Sequence, residues 1–309
     1  MTADDPRQGA AARIWRLLAL CAVIACIALS ASPLAAQTLQ RIADAKRIKI
    51  GVVSGQPPFA DRDEAGKYTG YAVDLCGVVA REVGKSAAAP SVEYVETALA
   101  DGLDTVAAGK VDLLCGAVTA TLSRREIVDF SEPIFLTGAA GLLRVSAPLV
   151  FREFFSGERE IFPPRSLELT PFAVFRLGVR DNTTTETALR EAVTQQRYKA
   201  EIVAFPTHSD GLDALERGKL EAYFADRALL AALQAKARRP SDLMVGKRLF
   251  TREPYAIALR RGDADFRLLI DRALSQFYAT PEFLTLLSRY FGTEAADIQG
   301  QVRALSTGG

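Results

Sequence analysis

The pattern of apolar and polar positions falls into two similar halves. Arg47-Ile-Lys-Ile-Gly-Val-Val53 alternates and then runs apolar, which predicts a strand, and Ser54-Gly-Gln-Pro-Pro58 stops it. Tyr71 to Val83 carries apolar residues at helical spacing, Ser91 to Val95 predicts a short strand, and Ala98 to Ala108 a helix ended by Gly109. Val111 to Cys115 predicts another strand, so this half is β-α-β-α-β. The pattern then restarts about 125 residues on. Phe172 to Val179 predicts a strand, Thr184 to Val193 a helix and Ile202 to Phe205 a strand. Asp210 to Arg217 predicts a helix, Glu221 to Ala225 a strand and Asp226 to Ala237 a helix. The halves share architecture, not residue identity. Each predicts a largely parallel sheet, and two such units predict two lobes with a cleft between them.

The last predicted strand, Tyr255 to Arg260, leads into two helices, Asp265 to Tyr278 and Pro281 to Tyr290. They are expected to return to the first lobe and make it discontinuous: residues 37–145 with 248–309, against 146–247 for the second. Residues 147–169 fit neither unit. They contain Leu149-Val-Phe-Arg-Glu-Phe-Phe155 and Pro163-Pro164, expected as a short amphipathic helix on lobe two, with a partner surface as the alternative.

The N-terminus changes the picture of where the protein works. Arg7, Arg13 and Arg16 precede an uncharged run from Leu17 to Leu29, followed by small residues through Ala36. That is the composition of a cleaved secretory signal peptide, residues 1–36. The apolar run is short for a membrane span: thirteen residues reach about 20 Å as a helix, against a roughly 30 Å hydrocarbon layer. An uncut anchor and a lipoprotein cleavage at Cys26 are the lesser alternatives. Without residues 1–36, basic and acidic residues are equal in number. Charge therefore gives no case for a nucleic-acid or membrane-surface partner. Cys76 and Cys115 would remain, an even pair that favours a disulfide in an exported chain, with two buried thiols as the alternative. The only histidine is His208, and no metal-ligand spacing or cofactor motif is present.

Unusual residues gather after predicted strand ends, where doubly wound sheets bind ligands. Thr119, Thr121 and Arg124 follow the Val111–Cys115 strand. Asp181-Asn-Thr-Thr-Thr185 follows another strand and opens a helix, with Glu186 in position for a capping box. His208 and Asp226 follow two more, and Phe59 follows the first. Each has a bland reading: Asp226 as a helix cap, the threonines as caps, His208 as a packed histidine, Arg124 as a solvated charge. Together they supply a cation, hydroxyl donors, free helix N–H groups, an anion, an imidazole and an aromatic face. That set suits a small zwitterion, its carboxylate on a guanidinium and its ammonium on a carboxylate.

The chain resembles the family 3 solute-binding proteins, the periplasmic amino-acid receptors of ABC transporters, over about residues 46 to 292. The resemblance rests on Pro57-Pro-Phe59, Gly70-Tyr-Ala-Val-Asp-Leu75, Gly109-Lys-Val-Asp-Leu113, Thr119-x-Thr-x-x-Arg124-x-x-x-Val-Asp-Phe-Ser131, Asn182-Thr-Thr184, Gly218 to Asp226, and Tyr290-Phe-Gly292. It implies an α/β fold of the type II periplasmic-binding class. Each lobe is then a doubly wound, mostly parallel sheet, with the ligand in the interlobe cleft and hinge closure around it. It implies that Arg124 and Thr119 hold the ligand carboxylate with Thr183 or Thr184. Asp226 and the Ala117 carbonyl would hold the ammonium, and Phe59 would pack on the ligand. Cys76, Cys115 and His208 are similar to features of the glutamate/aspartate branch, where the histidine reaches a side-chain carboxylate. Two departures stand out. Val53 occupies the place of that branch's arginine, which puts an acidic ligand in doubt, and Asn182 replaces the usual glycine, a mild change because Asn tolerates a left-handed turn.

The expected function is capture of a small amino acid or related carboxylate in the periplasm, by a monomer, for an inner-membrane ABC permease, without catalysis. The alternatives are a sensing or accessory receptor, and a cyclohexadienyl-dehydratase-like enzyme using His208 or Glu253 as its acid or base.

Overall fold

The computed structural model describes residues 37–86, 89–158, 175–196 and 200–307. The expected signal peptide and Cys26 lie outside them, as do residues 159–174 and the final two.

The first lobe opens with α1 (Gln37–Ala45) and β1 (Arg47–Val52), then a small hairpin of β2 (Asp61–Arg62) and β3 (Tyr68–Thr69). Next come α2 (Tyr71–Ser86), β4 (Ser91–Glu96), α3 (Gly102–Ala107), β5 (Leu113–Cys115), the one-turn α4 (Leu122–Arg125) and β6 (Val128–Thr137). The second lobe holds β7 (Ala139–Arg144), α5 (Leu149–Ser156), β8 (Phe175–Arg180), α6 (Thr184–Gln196), β9 (Ala200–Phe205), α7 (His208–Glu216), β10 (Ala222–Asp226), α8 (Arg227–Lys236) and β11 (Leu243–Val245). The chain returns through β12 (Glu253–Arg260) to α9 (Ala264–Tyr278), α10 (Pro281–Phe291) and α11 (Ala295–Leu305).

Sheet order is β4-β1-β5-β12-β6 in the first lobe and β11-β7-β10-β8-β9 in the second. Both repeat one plan. Three parallel strands, with the first of the β-α-β-α-β unit in the middle, are extended by two antiparallel ones. The parallel strands match the sequence expectation. The antiparallel pairs do not follow from periodicity, because Asp129, Ser131, Glu132 and Pro133 break the apolar pattern of β6 and only Gly138 separates it from β7.

The β6–β7 stretch also moves the lobe boundary. The expected crossing after residue 145 gives way to one at Gly138, since β7 pairs entirely within the second sheet. The return strand passes beside it. Ala139 N–H donates to Thr251 Oγ1 (2.8 Å), and Phe250 N–H donates to the Ala139 carbonyl (2.8 Å). A Cβ on Gly138 would collide with the Thr251 carbonyl, so only glycine lets the two crossing strands lie this close.

Both sheets bury apolar side chains on two faces, as helices on both sides of a parallel core require. In lobe one, Ile48 and Ile50 of β1 pack with Leu75 and Val79 of α2, and with Phe266, Ile270, Phe283 and Leu287 of α9 and α10. The C-terminal helices α9 and α10 thus cover the first sheet. Its other face gathers Val106, Val111, Leu114 and Phe130. In lobe two, Leu212, Leu215, Leu229 and Leu233 cover one face, and Phe151 and Phe155 of α5 the other. The segment read as an amphipathic helix therefore packs on lobe two over its described part. Cys76 and Cys115 form a disulfide that ties α2 to β5 inside the first core.

Candidate functional site

β5 and β10 both end at the cleft, and so does β8. The chain after each strand end supplies one wall of a single interlobe cavity. Its lining includes Ala117, Thr119 and Arg124 from the first lobe, Arg180, Thr183, Thr184, His208 and Asp226 from the second, and Glu253 and Tyr255 from the returning strand. Its volume is about 40 Å3, room for roughly three waters.

Arg124 reaches the cavity because α4 is a capped single turn. Thr121 Oγ1 accepts from Arg124 N–H at 3.2 Å, which ends the extended segment and aims the side chain inward. Nη1 then donates to the Thr119 carbonyl at 2.8 Å, fixing the guanidinium. Burial lowers the Arg124 pKa, and the Glu253 charge opposes that. Arginine stays cationic regardless. The neighbouring Arg125 is exposed and stacks over the Phe130 ring at 5.5 Å.

Glu253 gathers hydroxyls from both lobes. Thr119 Oγ1 donates to its Oε2 at 2.8 Å, Thr184 Oγ1 to the same oxygen at 2.7 Å, and Thr251 Oγ1 to Oε1 at 2.7 Å. Thr119 and Thr184 hydroxyls also face each other at 3.3 Å. This carboxylate links lobe one, lobe two and the crossing strand. Two exposed ion pairs join the lobes farther out, Lys236–Asp61 at 2.9 Å and Arg227–Glu294 at 3.0 Å.

Asp226 is both cap and open acceptor. Its Oδ1 accepts from Leu229 N–H at 3.0 Å and caps α8, so the bland reading is correct as far as it goes. The other oxygen, Oδ2, is buried without a hydrogen-bond partner. Burial is the main force on this group, and Glu253 adds repulsion. Together they push its pKa up to about 6, although the Thr137 and Tyr255 hydroxyls and the Leu229 N–H favour the anion. Oδ2 makes no well-aligned hydrogen bond despite those nearby hydroxyls, so a donor placed on it would offset part of the cost of burial.

The second-lobe turn follows its predicted chemistry. Asn182 sits at φ 56°, the left-handed region that glycine or asparagine tolerates. Thr183 Oγ1 accepts from Glu186 N–H at 3.0 Å and donates to the Arg180 carbonyl at 2.8 Å. Glu186 Oε2 accepts from Asn182 N–H at 2.9 Å, completing a box-like cap. The Thr183 hydroxyl is therefore spent on the helix start, while Thr184 faces the cleft. The Ala117 N–H is likewise taken, by Gln56 Oε1 at 2.9 Å.

His208 is 5% exposed and its Nδ1 lies 2.9 Å from the Tyr223 hydroxyl. Burial first, then the Arg180 charge, push its pKa down to about 3, so the ring is neutral at ordinary pH. Burial keeps Tyr223 protonated, and the neutral ring carries one N–H; in the tautomer that accepts the Tyr223 O–H at Nδ1, that N–H is on Nε2.

Phe59 corrects an expectation. It is fully buried among Tyr71, Phe135, Tyr255 and Phe291, with ring centroids 4.9 to 6.4 Å away, and does not line the cavity. The two prolines turn the chain back into the lobe-one core, so the aromatic face serves packing. The sequence reading missed Gln56, Arg180 and Tyr255 as cavity residues. Arg180 was findable, since it is the last residue of a strand whose next residues were already singled out. Among the described residues no cluster of His, Cys, Asp or Glu could hold a metal ion, and no helix is long and apolar enough to cross a membrane.

Comparison with known proteins places the chain in a family. The chain is 27% identical over 262 residues to the glutamate/aspartate import solute-binding protein of Salmonella typhimurium, covering 84% of this chain and 81% of that one. It is 28% identical over 257 residues to the L-glutamate/L-aspartate-binding protein of Pseudomonas aeruginosa, covering 82% and 80%. Among solved structures, an ancestral amino acid-binding protein described as a precursor of cyclohexadienyl dehydratase superposes with a TM-score of 0.66 at 25% identity, covering 82% of this chain and all of that one. Residues 48–293 match the model of the bacterial extracellular solute-binding proteins, family 3, and the chain belongs to that family.

Proposed function

We propose that this protein captures an α-amino acid between its lobes in the periplasm and delivers it, as a monomer, to an ABC permease. The observation that carries the reading is the pairing of opposite needs across one cavity. Arg124 presents a fixed guanidinium from lobe one, and Asp226 presents a buried, unpartnered carboxylate oxygen from lobe two. An α-carboxylate and α-ammonium on one carbon fit the two ends. Thr119 and Thr184 stand ready to turn their hydroxyls from Glu253 to the ligand. The lobes would close on the ligand about the crossing strands at Gly138 and Thr251, where the two chains lie in contact. The names of the relatives support the amino-acid class.

Titration calorimetry with a panel of amino acids tests this. Saturable one-to-one binding of at least one L-amino acid is expected, lost in Arg124→Ala. Absence of binding to every member would sink it. The dehydratase reading gains a foothold from Glu253 in the cavity and from the ancestral structure. Its requirement is turnover of prephenate or arogenate that disappears in Glu253→Gln.

A further inference from the structure

One guanidinium in the cavity has no anion. Arg180 closes β8 at the cleft, and its Nε and Nη1 are buried with no hydrogen-bond partner. The charge of Asp181 acts on it, but no carboxylate comes within ion-pair distance among the described residues. An arginine kept for structure looks different here. Arg144 spends its Nη1 on the Leu215 and Leu220 carbonyls at 2.8 and 2.7 Å. Arg176, on the same strand as Arg180, pairs with Glu221. Arg180 does neither, and its buried Nε and Nη1 lose water with no hydrogen bond in return.

The other charged groups of the cavity are already assigned. Glu253 accepts from three threonine hydroxyls in this state, Arg124 is assigned to the α-carboxylate, and Asp226 to the ammonium. An ordinary neutral amino acid would leave Arg180 as it is. His208 lines the same cavity, is near enough for the Arg180 charge to bear on it, and as a neutral ring keeps one N–H to donate. A guanidinium fork beside an imidazole N–H is a receptor for a second carboxylate.

We propose that Arg180 is a second anion receptor of this cavity, assisted by His208, and that it makes the site select ligands bearing an acidic group besides the one held at Arg124. This rests on the amino-acid reading above. The ligand class is then the acidic amino acids, and the residue that sets it is on the opposite lobe from the α-carboxylate anchor. Closure brings the two cations to opposite ends of one dicarboxylate.

The experiment is calorimetry of the mature protein with L-aspartate, L-glutamate, L-asparagine, L-glutamine and L-alanine, in wild type, Arg180→Gln and Arg180→Lys. In wild type an acid should bind roughly 30-fold or more tightly than its amide, because the amide leaves the guanidinium unpaired. Arg180→Gln should abolish that ratio by weakening the acid while changing the amide less than about threefold, and Arg180→Lys should restore part of it. The ligand-free melting temperature of Arg180→Gln should not fall, since no native partner is lost. Amides binding as well as acids in wild type would overturn the inference and leave the amino-acid reading standing. Equal weakening of acids and amides in Arg180→Gln, with a lowered melting temperature, would also overturn it, by giving Arg180 a structural role. Binding of none of the five, or of any wider panel, removes the amino-acid reading and this inference with it.

Discussion

At the scale of single residues, adjacent side chains of one type take opposite fates. Arg124 and Arg125 are indistinguishable by composition, yet the Thr121 cap turns one into the cavity and leaves the other over Phe130 in solvent. Arg124→Ala should therefore abolish amino-acid binding, and Arg125→Ala should change affinity less than about threefold, as exposed charges contribute little. Calorimetry on both variants checks this, and equal losses would refute the assignment. Asp226 gives a pH dependence. Its folded pKa of about 6 lies above the usual carboxylate value because burial disfavours the anion. An ammonium ligand needs the anion, so affinity should fall as pH drops through 6. At pH 5 it should be about tenfold weaker than at pH 7.5. Asp226→Asn should bind weakly and lose that dependence. Linkage in the ligand-free protein has the opposite sign. A carboxyl with a raised folded pKa stabilises the fold at low pH, and that contribution is lost as pH rises through about 6. His208, with its pKa near 3, favours the neutral ring, so its contribution is present above its unfolded value and lost as pH falls toward 3.

At the scale of elements, the start of α6 shows how far local chemistry reaches. The box-like cap at Thr183 and Glu186 and the left-handed turn at Asn182 follow from side-chain types alone, and both are present. Asn182→Gly should leave stability unchanged within about 0.5 kcal/mol. Asn182→Ala should cost about 1 kcal/mol, lowering Tm by roughly 2–4 °C. Thermal unfolding of both variants measures it, and an Ala variant as stable as the parent would contradict the backbone argument. The strands β6 and β7 mark the opposite case. The sequence pattern assigned them no strands, and nothing local says that the chain changes sheets at Gly138. That depends on the return strand arriving alongside, more than a hundred residues later.

For the whole molecule, two lobes of one plan are stapled unequally. The Cys76–Cys115 bond spans 39 residues of lobe one, between α2 and β5, while lobe two relies on packing. Loop closure of that length stabilises by about 4 kcal/mol in the chain-entropy model. Reduction, or Cys76→Ser with Cys115→Ser, should lower Tm by on the order of 10 °C. Calorimetric scans with and without reductant test this, and an unchanged Tm would show that the bond constrains little. The cavity exists only at this scale, since half of its polar groups come from each lobe.

The sequence by itself determined the two α/β units, the parallel strand ends where ligand groups collect, the caps, and the choice of Arg124, Thr119, Thr184, His208 and Asp226 as cavity residues. Those features are set by short-range periodicity and by side-chain chemistry at fixed offsets. The tertiary structure alone decided that Phe59 is core, that Thr183 is spent on its helix, that Glu253 joins both lobes, and that Arg180 stands in the cavity with two buried nitrogens unbonded. Each of those depends on which distant groups surround a side chain, because burial and partnering are properties of the packed neighbourhood and not of the local chain.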